Sequence, residues 1–224
     1  MFSPGSSVLR KLVFVGVLIA ALGCLPAAAQ TETTTVDSVK TQEVTRFGVV
    51  VDNSGAFRLA LEKAVRIISA VLRSDRSAAE GFLVTYADSD KIRLKQDLTS
   101  DRQELIDAVE NMYAESGNGA FLDAVKLAAD HLKENGDAEN PGYLLIAANG
   151  EDRGSSTKVD DLLKTLKASN VRIFIIGISD GKLDSRLIDR IVKETGGKRY
   201  LPLSTDDVNA VAATIRADID RIEK

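Results

Sequence analysis

The sequence contains almost no cysteine or histidine. Its 224 residues include one of each, Cys24 and His131, and no tryptophan. One cysteine excludes an internal disulfide, and one imidazole without suitably spaced partners argues against a zinc site or a serine–histidine–aspartate catalytic set. His131 falls late in a segment of helical periodicity, near charged residues, so we expect it to be exposed to solvent.

Apolar runs long enough to cross a bilayer are missing as well. The N-terminus carries Arg10 and Lys11, then the short apolar run from Leu12 to Leu22, then small residues ending at Ala29. This order is typical of an export signal. We therefore predict a signal peptide at residues 1–29 and a periplasmic or extracellular protein with no stable membrane insertion after cleavage.

Cys24 permits one alternative after export. Because Gly23 precedes it, lipoprotein processing would leave the protein anchored to a membrane through Cys24. The stretch Ala21-Leu22-Gly23-Cys24 is a poor version of that pattern. An exported protein without disulfides fits a bacterial envelope better than a small disulfide-stapled eukaryotic domain.

Basic charge is not in excess. The chain has 29 lysines and arginines against 33 aspartates and glutamates, a net charge of −4 at neutral pH. This balance argues against nucleic acid or an anionic membrane as the main partner. Residues 30–44 are rich in threonine and other polar groups and predict a flexible tether, whereas residues 45–224 are long enough for one well-buried domain.

The domain does contain a regular alternation of strand and helix patterns. Continuous apolar runs at Phe47 to Val51, Tyr143 to Ala148 and Val171 to Ile178 are typical of strands buried on both faces of a parallel sheet. Segments with apolar residues three and four apart lie between them and predict helices. Phe82 to Tyr86 and Ile92 to Leu94 predict a hairpin, which gives the sheet one antiparallel edge strand. The fold class is therefore α/β, a doubly wound, mostly parallel, Rossmann-like sheet with helices on both faces.

Helix boundaries carry their own signals. Ser100 to Gln103 and Ser204 to Asp207 have the spacing of capping boxes and predict the starts of two helices. Gly196-Gly197 predicts the end of another. A short strand from Arg199 to Leu201 is expected before the last helix.

Three loops are placed to form a binding crevice. In a doubly wound sheet, ligands bind beyond the carboxyl ends of the strands, where the strand order reverses. The loops Asn53 to Ala56, Ser116 to Ala120 and Asn149 to Gly154 qualify by position. Their glycines form no phosphate-binding pattern, so we interpret them as turn residues.

The residues in these loops resemble a known family. Asp52-Asn53-Ser54-Gly55-Ala56, then Gly117-Asn118-Gly119-Ala120, then Ala148-Asn149-Gly150-Glu151-Asp152 follow in the order seen in the von Willebrand factor type A (VWA) domain. The resemblance extends over residues 45 to 220. Within the family, the chain is most similar in pattern to exported bacterial proteins, which share a late Glu-Thr-Gly-Gly turn, here Glu194 to Gly197. It implies the same doubly wound sheet.

The resemblance also implies a metal-ion-dependent adhesion site, in which an Asp-x-Ser-x-Ser loop, a threonine and a second aspartate surround Mg²⁺ or Mn²⁺. In this chain Asp52 and Ser54 match the first two ligands. Ala56 stands in place of the second serine, Gly119 in place of the threonine, and Asn149 in place of the second aspartate. A hard divalent cation needs about six oxygen ligands, some of them charged, so this degenerate set predicts no metal and no cofactor.

Three alternatives remain open for the same loops. Weak binding of Mg²⁺ or Mn²⁺ through Asp52, Ser54 and Asn149 would retain the mechanism of the family. A different cation site would use acidic residues of neighbouring loops, namely Asp88, Glu115, Glu151 and Asp152. Without a metal, we expect Asp52 to cap the helix that follows it.

The functional prediction is a non-enzymatic protein–protein interaction module of the bacterial envelope or exterior. Arg58 and Arg153 flank the crevice and are candidates to recognise a partner carboxylate in place of a metal. A hydrolase or nucleotide-binding protein of similar topology is the remaining alternative, although no catalytic residue is predicted. The expected partner-binding crevice consists of Asp52, Asn53, Ser54, Ala56, Arg58, Gly119, Asn149, Glu151 and Arg153.

Overall fold

The computed structural model describes residues 44–221 except 76, 78, 137–139, 141, 180–182 and 204. The signal peptide predicted at residues 1–29, including Cys24, lies outside the described residues. So does the tether predicted at residues 30–44, apart from Val44.

In the described part of the chain, six strands form one sheet in the order β3-β2-β1-β4-β5-β6. All neighbouring pairs are parallel except β2 and β3, which pair antiparallel. The predicted fold class and the antiparallel edge strand are therefore confirmed. The strands are β1 Arg46–Asp52, β2 Glu80–Tyr86, β3 Ile92–Thr99, β4 Tyr143–Ala148, β5 Arg172–Gly177 and β6 Lys198–Tyr200.

Helices cover both faces of this sheet. One face packs against α1, α2 and α6, and the other against α3, α4 and α5. Their bounds are α1 Arg58–Ser74, α2 Arg102–Glu110, α3 Phe121–Asn135, α4 Val159–Ser169, α5 Ser185–Thr195 and α6 Val208–Ile219. None of the helices in the described residues combines the length and the apolar character that crossing a membrane requires.

The central strand β1 shows why the continuous apolar runs become buried strands. Val49 and Val51 point into one core and Val50 into the other, because successive side chains of a strand face opposite sides. A strand covered on both faces needs apolar residues on both of its sides, and the run Val49 to Val51 supplies them.

Two predicted helix starts differ from the structure. The capping box expected at Ser100 is wrong by one residue, because the carboxylate of Asp101 accepts the backbone N–H groups of Gln103 and Glu104. The last helix is capped by Asp207, which accepts the N–H of Ala210 at 2.8 Å. Ser204, the predicted cap, lies outside the described residues.

His131 is not exposed as expected. Its side chain is mostly buried on α3, with the imidazole edge-on to the Phe82 ring at 4.6 Å between centroids. Its Nε2 lies 2.9 Å from Oδ1 of Asp97 on β3. The edge strand extends to Thr99, well beyond the predicted Leu94, and this contact joins its second half to α3.

Candidate functional site

The carboxyl ends of β1 and β4 form the centre of the candidate site. From β1 the sheet order runs to β2 and β3 on one side and to β4, β5 and β6 on the other, so the strand order reverses beside β1. Asp52 ends β1, and Asn149 directly follows β4. The three predicted loops meet here. The N–H of Glu115, the residue directly before the second loop, binds Asn53 O, and the N–H of Gly154 binds Gly119 O.

Asp52 is a buried carboxylate with a strongly perturbed pKa. It is 1% exposed, and its Oδ1 accepts the backbone N–H of Ser54 at 2.8 Å. Burial raises the pKa of Asp52 from 3.8 to about 6, although hydrogen bonds from Ser54 oppose the shift.

The expectation that Asp52 caps the following helix is wrong. The chain first makes a short 3₁₀ turn, Gly55–Phe57, and α1 begins only at Arg58. Neither element receives a side-chain cap. Asp52 therefore closes a local turn onto Ser54, because an aspartate readily bonds to the N–H two residues further on.

Tyr86 was not predicted as a site residue. It ends β2 directly opposite Asp52, and its fully buried hydroxyl has no partner of good hydrogen-bonding geometry among the described residues. Burial, followed by the nearby Asp52 charge, raises the pKa of Tyr86 well above its ordinary value. Its position in the sequence could have indicated this role, since a tyrosine at the end of the neighbouring parallel strand lies beside Asp52.

Asn53 positions a neighbouring loop. Its Nδ2 donates to the carbonyl oxygen of Tyr113 at 3.0 Å, and its own carbonyl oxygen accepts the N–H of Glu115 at 2.8 Å. These bonds hold the segment after α2 against the first loop. Asn53 therefore supports the shape of the crevice from a buried position.

The next residues of the first loop differ in exposure. Ser54 is buried, whereas Ala56 and Arg58 are exposed. Ala56 presents a methyl group where the family presents a serine oxygen, so this position offers nothing to a cation. Arg58 makes no ion pair within the described part of the chain.

The backbone conformation at position 119 favours glycine. Its φ is +78°, a conformation that side-chain-bearing residues rarely adopt, and an added Cβ would lie 3.2 Å from the carbonyl oxygen of Glu151. Its own carbonyl oxygen accepts the N–H groups of Arg153 and Gly154. The backbone of Gly119 thus joins the second and third loops.

Replacing Gly119 with alanine should lower the free energy of unfolding by about 1–2 kcal/mol, because the positive φ is strained for any L side chain. The measurement is urea-induced unfolding. Ala56→Ser is the matched control in the first loop, and as an exposed substitution it should stay within about 0.5 kcal/mol of the parent. Equal stability of Gly119→Ala and the parent would contradict the assigned backbone conformation.

Asn149 uses its side-chain oxygen within the protein. The residue is buried, its Oδ1 accepts the N–H of Glu151 at 2.9 Å, and its carbonyl oxygen accepts the N–H of Asp184 at 2.9 Å. The side chain of Glu151 is largely covered and lies 3.4 Å from the guanidinium of Arg153, which is exposed. Arg153 therefore already pairs with Glu151, whereas Arg58 has no ion pair in the described part of the chain.

The acidic residues proposed for a different cation site have protein partners. Asp88 accepts the N–H of Asn118, Glu115 pairs with Arg93 at 3.4 Å, and Asp152 accepts the hydroxyl of Ser155 at 2.6 Å. In the described ranges, no three histidine, cysteine, aspartate or glutamate side chains converge as a metal site requires.

A clamp between α3 and the third loop was also missed by sequence reasoning. Ser155 Oγ accepts the N–H of Asp123 at the start of α3 and donates to Asp152. The carboxylate of Asp123 in turn accepts the N–H groups of Ser156 and Thr157. Burial works to raise the pKa of Asp123, but these hydrogen bonds outweigh it and lower the pKa.

Several solved structures share this fold. An aerotolerance-related membrane protein from Bacteroides fragilis NCTC 9343 has a TM-score of 0.61 at 18% identity, covering 79% of this chain and 99% of that one. BatB from Bacteroides thetaiotaomicron, a conserved hypothetical protein, has a TM-score of 0.61 at 16% identity, covering 80% and 98%. A von Willebrand factor type A protein from Catenulispora acidiphila has a TM-score of 0.63 at 16% identity, covering 79% and 42%.

Identities this low show a common fold and nothing finer. No curated protein sequence matches the chain. The family model of the von Willebrand factor type A domain, however, matches residues 48–216, which is most of the chain. With the strand order, the three converging loops and this match in hand, the chain belongs to the von Willebrand factor type A domain family.

Proposed function

We propose that this protein is a non-enzymatic interaction module that binds a protein partner at the carboxyl-end crevice without a metal ion. VWA domains mediate protein interactions, and the chain belongs to that family. Binding without a metal is supported by the side chains that stand at the family's ligand positions. Ala56 has no side-chain oxygen, Gly119 has no side chain, and Asn149 uses its oxygen on the N–H of Glu151.

The remaining donors do not fit Mg²⁺ or Mn²⁺. These ions are held mainly by carboxylates, and Asp52 is the one carboxylate at the family's ligand positions. Backbone N–H groups already bind two of the remaining oxygens, since Ser54 donates to Asp52 Oδ1 and Glu151 donates to Asn149 Oδ1.

Location in the bacterial envelope or exterior is part of the same proposal. The residues before 30 have the pattern of an export signal, and two proteins of the same fold are described as an aerotolerance-related membrane protein and as BatB. Anchoring through Cys24 would place the same domain at a membrane surface.

The first test is the response of stability to divalent cations. We expect about 10 mM Mg²⁺ or Mn²⁺ to change the free energy of unfolding by no more than about 0.4 kcal/mol, whereas a site with a Kd of about 0.1 mM would add about 2.7 kcal/mol. The measurement is thermal unfolding with each ion and with chelator, using Asp52→Ala as the control. A stabilisation that disappears in Asp52→Ala would establish residual metal binding through Asp52, Ser54 and Asn149.

The second test concerns the partner. The protein would be crosslinked in its own cell envelope and recovered with and without chelator. Capture of the same protein in both conditions supports metal-free binding, and capture only without chelator overturns it. Nucleotides and phosphates should leave the melting temperature unchanged, and a shift with either would support the alternative of a nucleotide-binding protein or hydrolase.

A further inference from the structure

The edge strand β3 is covered unequally on its two faces. On one face α2 packs against β3, whereas on the other face α3 lies mainly over β1 and β2. Within the part of the chain that the structure describes, a groove of about 540 Å³ runs between β3 and α3 on this second face. In a sheet with helices on both faces, this is the position that a further helix would cover.

Apolar side chains from both elements line this groove. Leu94 on β3 is 40% exposed, Leu127 on α3 is 37% exposed, and Ile92 on β3 is half-buried. A single exposed leucine needs no explanation, but these three side chains share one concave surface.

The side of α3 that faces the groove forms a regular ridge. Asp123, Leu127, Asp130 and Glu134 follow one another three or four residues apart, so they lie along one side of the helix. At 1.5 Å per residue, the ridge from Asp123 to Glu134 is about 16 Å long. The groove therefore has the length of about three helical turns.

The side chains that line the groove carry an excess of negative charge. Three of them are carboxylates, those of Asp123, Asp130 and Glu134, whereas Lys126 is the one lysine among them. Lys126 pairs with Asp130. Glu134 is exposed and makes no hydrogen bond or ion pair in the described part of the chain. The groove therefore favours a partner with positive charge.

The cations of β3 do not neutralise this charge, because they lie on the other face of the sheet. Arg93 pairs with Glu115 at 3.4 Å, and the ammonium group of Lys95 lies 5.7 Å from the centre of the Tyr113 ring. The imidazole of His131 lies against a carboxylate of β3, so this pair adds no net positive charge to the groove.

A larger groove, of about 680 Å³ between α1, α2 and α6, has no such excess of one charge. Its lining includes two arginines, Arg66 and Arg73, and two carboxylates, Glu110 and Asp207. The groove between β3 and α3 therefore differs from it in combining exposed leucines with a net negative lining.

We propose that the groove between β3 and α3 binds an amphipathic helix of a partner protein, with a stripe of apolar side chains flanked by lysines or arginines. The apolar stripe covers Ile92, Leu94 and Leu127, and the basic side chains meet the ridge of α3, first of all at Glu134. A helix fits better than a strand, because the two register irregularities of β3 oppose a further strand at this edge. None of the residues assigned to the crevice lines this groove, so the inference goes beyond the proposed function.

The test uses the full chain and a fluorescent peptide of about 18 residues, because shorter helices are marginal in water. The peptide carries leucines three and four residues apart, with lysines on both sides of them. A second peptide replaces each lysine with glutamate, and a third keeps the composition but breaks the leucine spacing. We expect saturable binding of the first peptide alone, measured by fluorescence anisotropy.

Variants of the groove and matched controls locate the binding. Glu134→Lys and Leu127→Ser should each weaken the affinity about fivefold or more. Glu62→Lys and Leu59→Ser on α1 are the controls, since both residues are exposed outside the groove and the changes in charge and apolar area are the same in kind. Both controls should bind the peptide as the parent does.

Four results would overturn the inference. These are no binding of the basic peptide, equal binding of the acidic or the rearranged peptide, and an affinity of Glu134→Lys or Leu127→Ser equal to that of its control. The fourth is self-association of the chain that Leu127→Ser abolishes, seen by sedimentation velocity, because a second copy would then occupy the groove. None of these results bears on metal-free binding in the crevice, which the envelope crosslinking experiment tests.

Discussion

Replacing Asp52 with asparagine should raise the free energy of unfolding at pH 8 by about 2–3 kcal/mol, since each unit of pKa shift corresponds to about 1.4 kcal/mol. Burial raises the pKa of Asp52 from 3.8 to about 6 in the folded protein. Between pH 3.8 and about 6, Asp52 therefore keeps its proton in the folded protein but has already released it in the unfolded chain. Oδ1 of asparagine can still accept the N–H of Ser54, so the local turn is retained.

The pH dependence gives the sign of this effect. Because the folded pKa is raised, the contribution of Asp52 is fully favourable below pH 3.8 and is lost as the pH rises through about 6. Parent and Asp52→Asn should have equal stability near pH 3.5, diverge between pH 4 and 6, and stay separated by a constant amount above. Urea unfolding across this range measures the difference.

Asp123→Asn is the matched control with the opposite sign. Its carboxylate accepts backbone N–H groups that lower its pKa, so the variant should lose stability at neutral pH and approach the parent as the pH falls through the low folded pKa. If Asp52→Asn were instead less stable than the parent at pH 8, a favourable partner of the Asp52 charge would exist. Repeating the comparison in chelator would show whether that partner is a cation.

Restoring two of the missing ligand oxygens should make the stability of the domain depend on Mg²⁺. In the double variant Ala56→Ser, Asn149→Asp, a second carboxylate follows β4 next to the end of β1, where Val51 pairs with Ala147. Two buried carboxylates repel each other, so we expect the variant to be about 1–3 kcal/mol less stable than the parent in chelator. Mg²⁺ at about 10 mM should recover about 2–3 kcal/mol, as expected for a Kd near 0.1 mM.

Calorimetry and thermal unfolding, with and without Mg²⁺, measure this gain. Ala56→Ser alone is the control and should remain indifferent to Mg²⁺. Gly119 stays glycine in this design, because a threonine would have to adopt its φ of +78°. A double variant that ignores Mg²⁺ in both measurements would show that these two oxygens are insufficient while position 119 remains glycine.

Local patterns were sufficient for the fold because they report burial directly. A run such as Phe47 to Val51 is apolar at each position but Gly48 since both faces of β1 are covered, and that requirement is visible without knowing the neighbours. The hairpin of β2 and β3 and the end of α5 at Gly196 were predicted from turn residues, which are also a local signal. The cap of α2 was misplaced because Ser100 and Asp101 are both good caps and local sequence does not rank them.

The side chains of the site depended on contacts distant in sequence. Asp52 was expected to cap a helix, but the 3₁₀ turn at Gly55–Phe57 displaces that helix, and Asp52 faces Tyr86 across the sheet instead. His131 was expected in water, but Phe82 and Asp97 cover it. The 3₁₀ turn is local, but the contacts of Asp52 with Tyr86 and of His131 with Phe82 and Asp97 join residues more than thirty positions apart, which periodicity does not connect.

The sequence by itself determined which oxygens the crevice lacks, because ligand identity at positions 56, 119 and 149 is a matter of residue type. It also determined the doubly wound sheet, since two-sided burial leaves an apolar run. Only the tertiary structure decided what the remaining groups do. It turns Asn149 Oδ1 onto a backbone N–H, and it buries Asp52 so that its pKa rises to about 6. Hydrogen bonding, desolvation and proximity are properties of the packed chain, and they arise from pairs of residues that only the fold brings together.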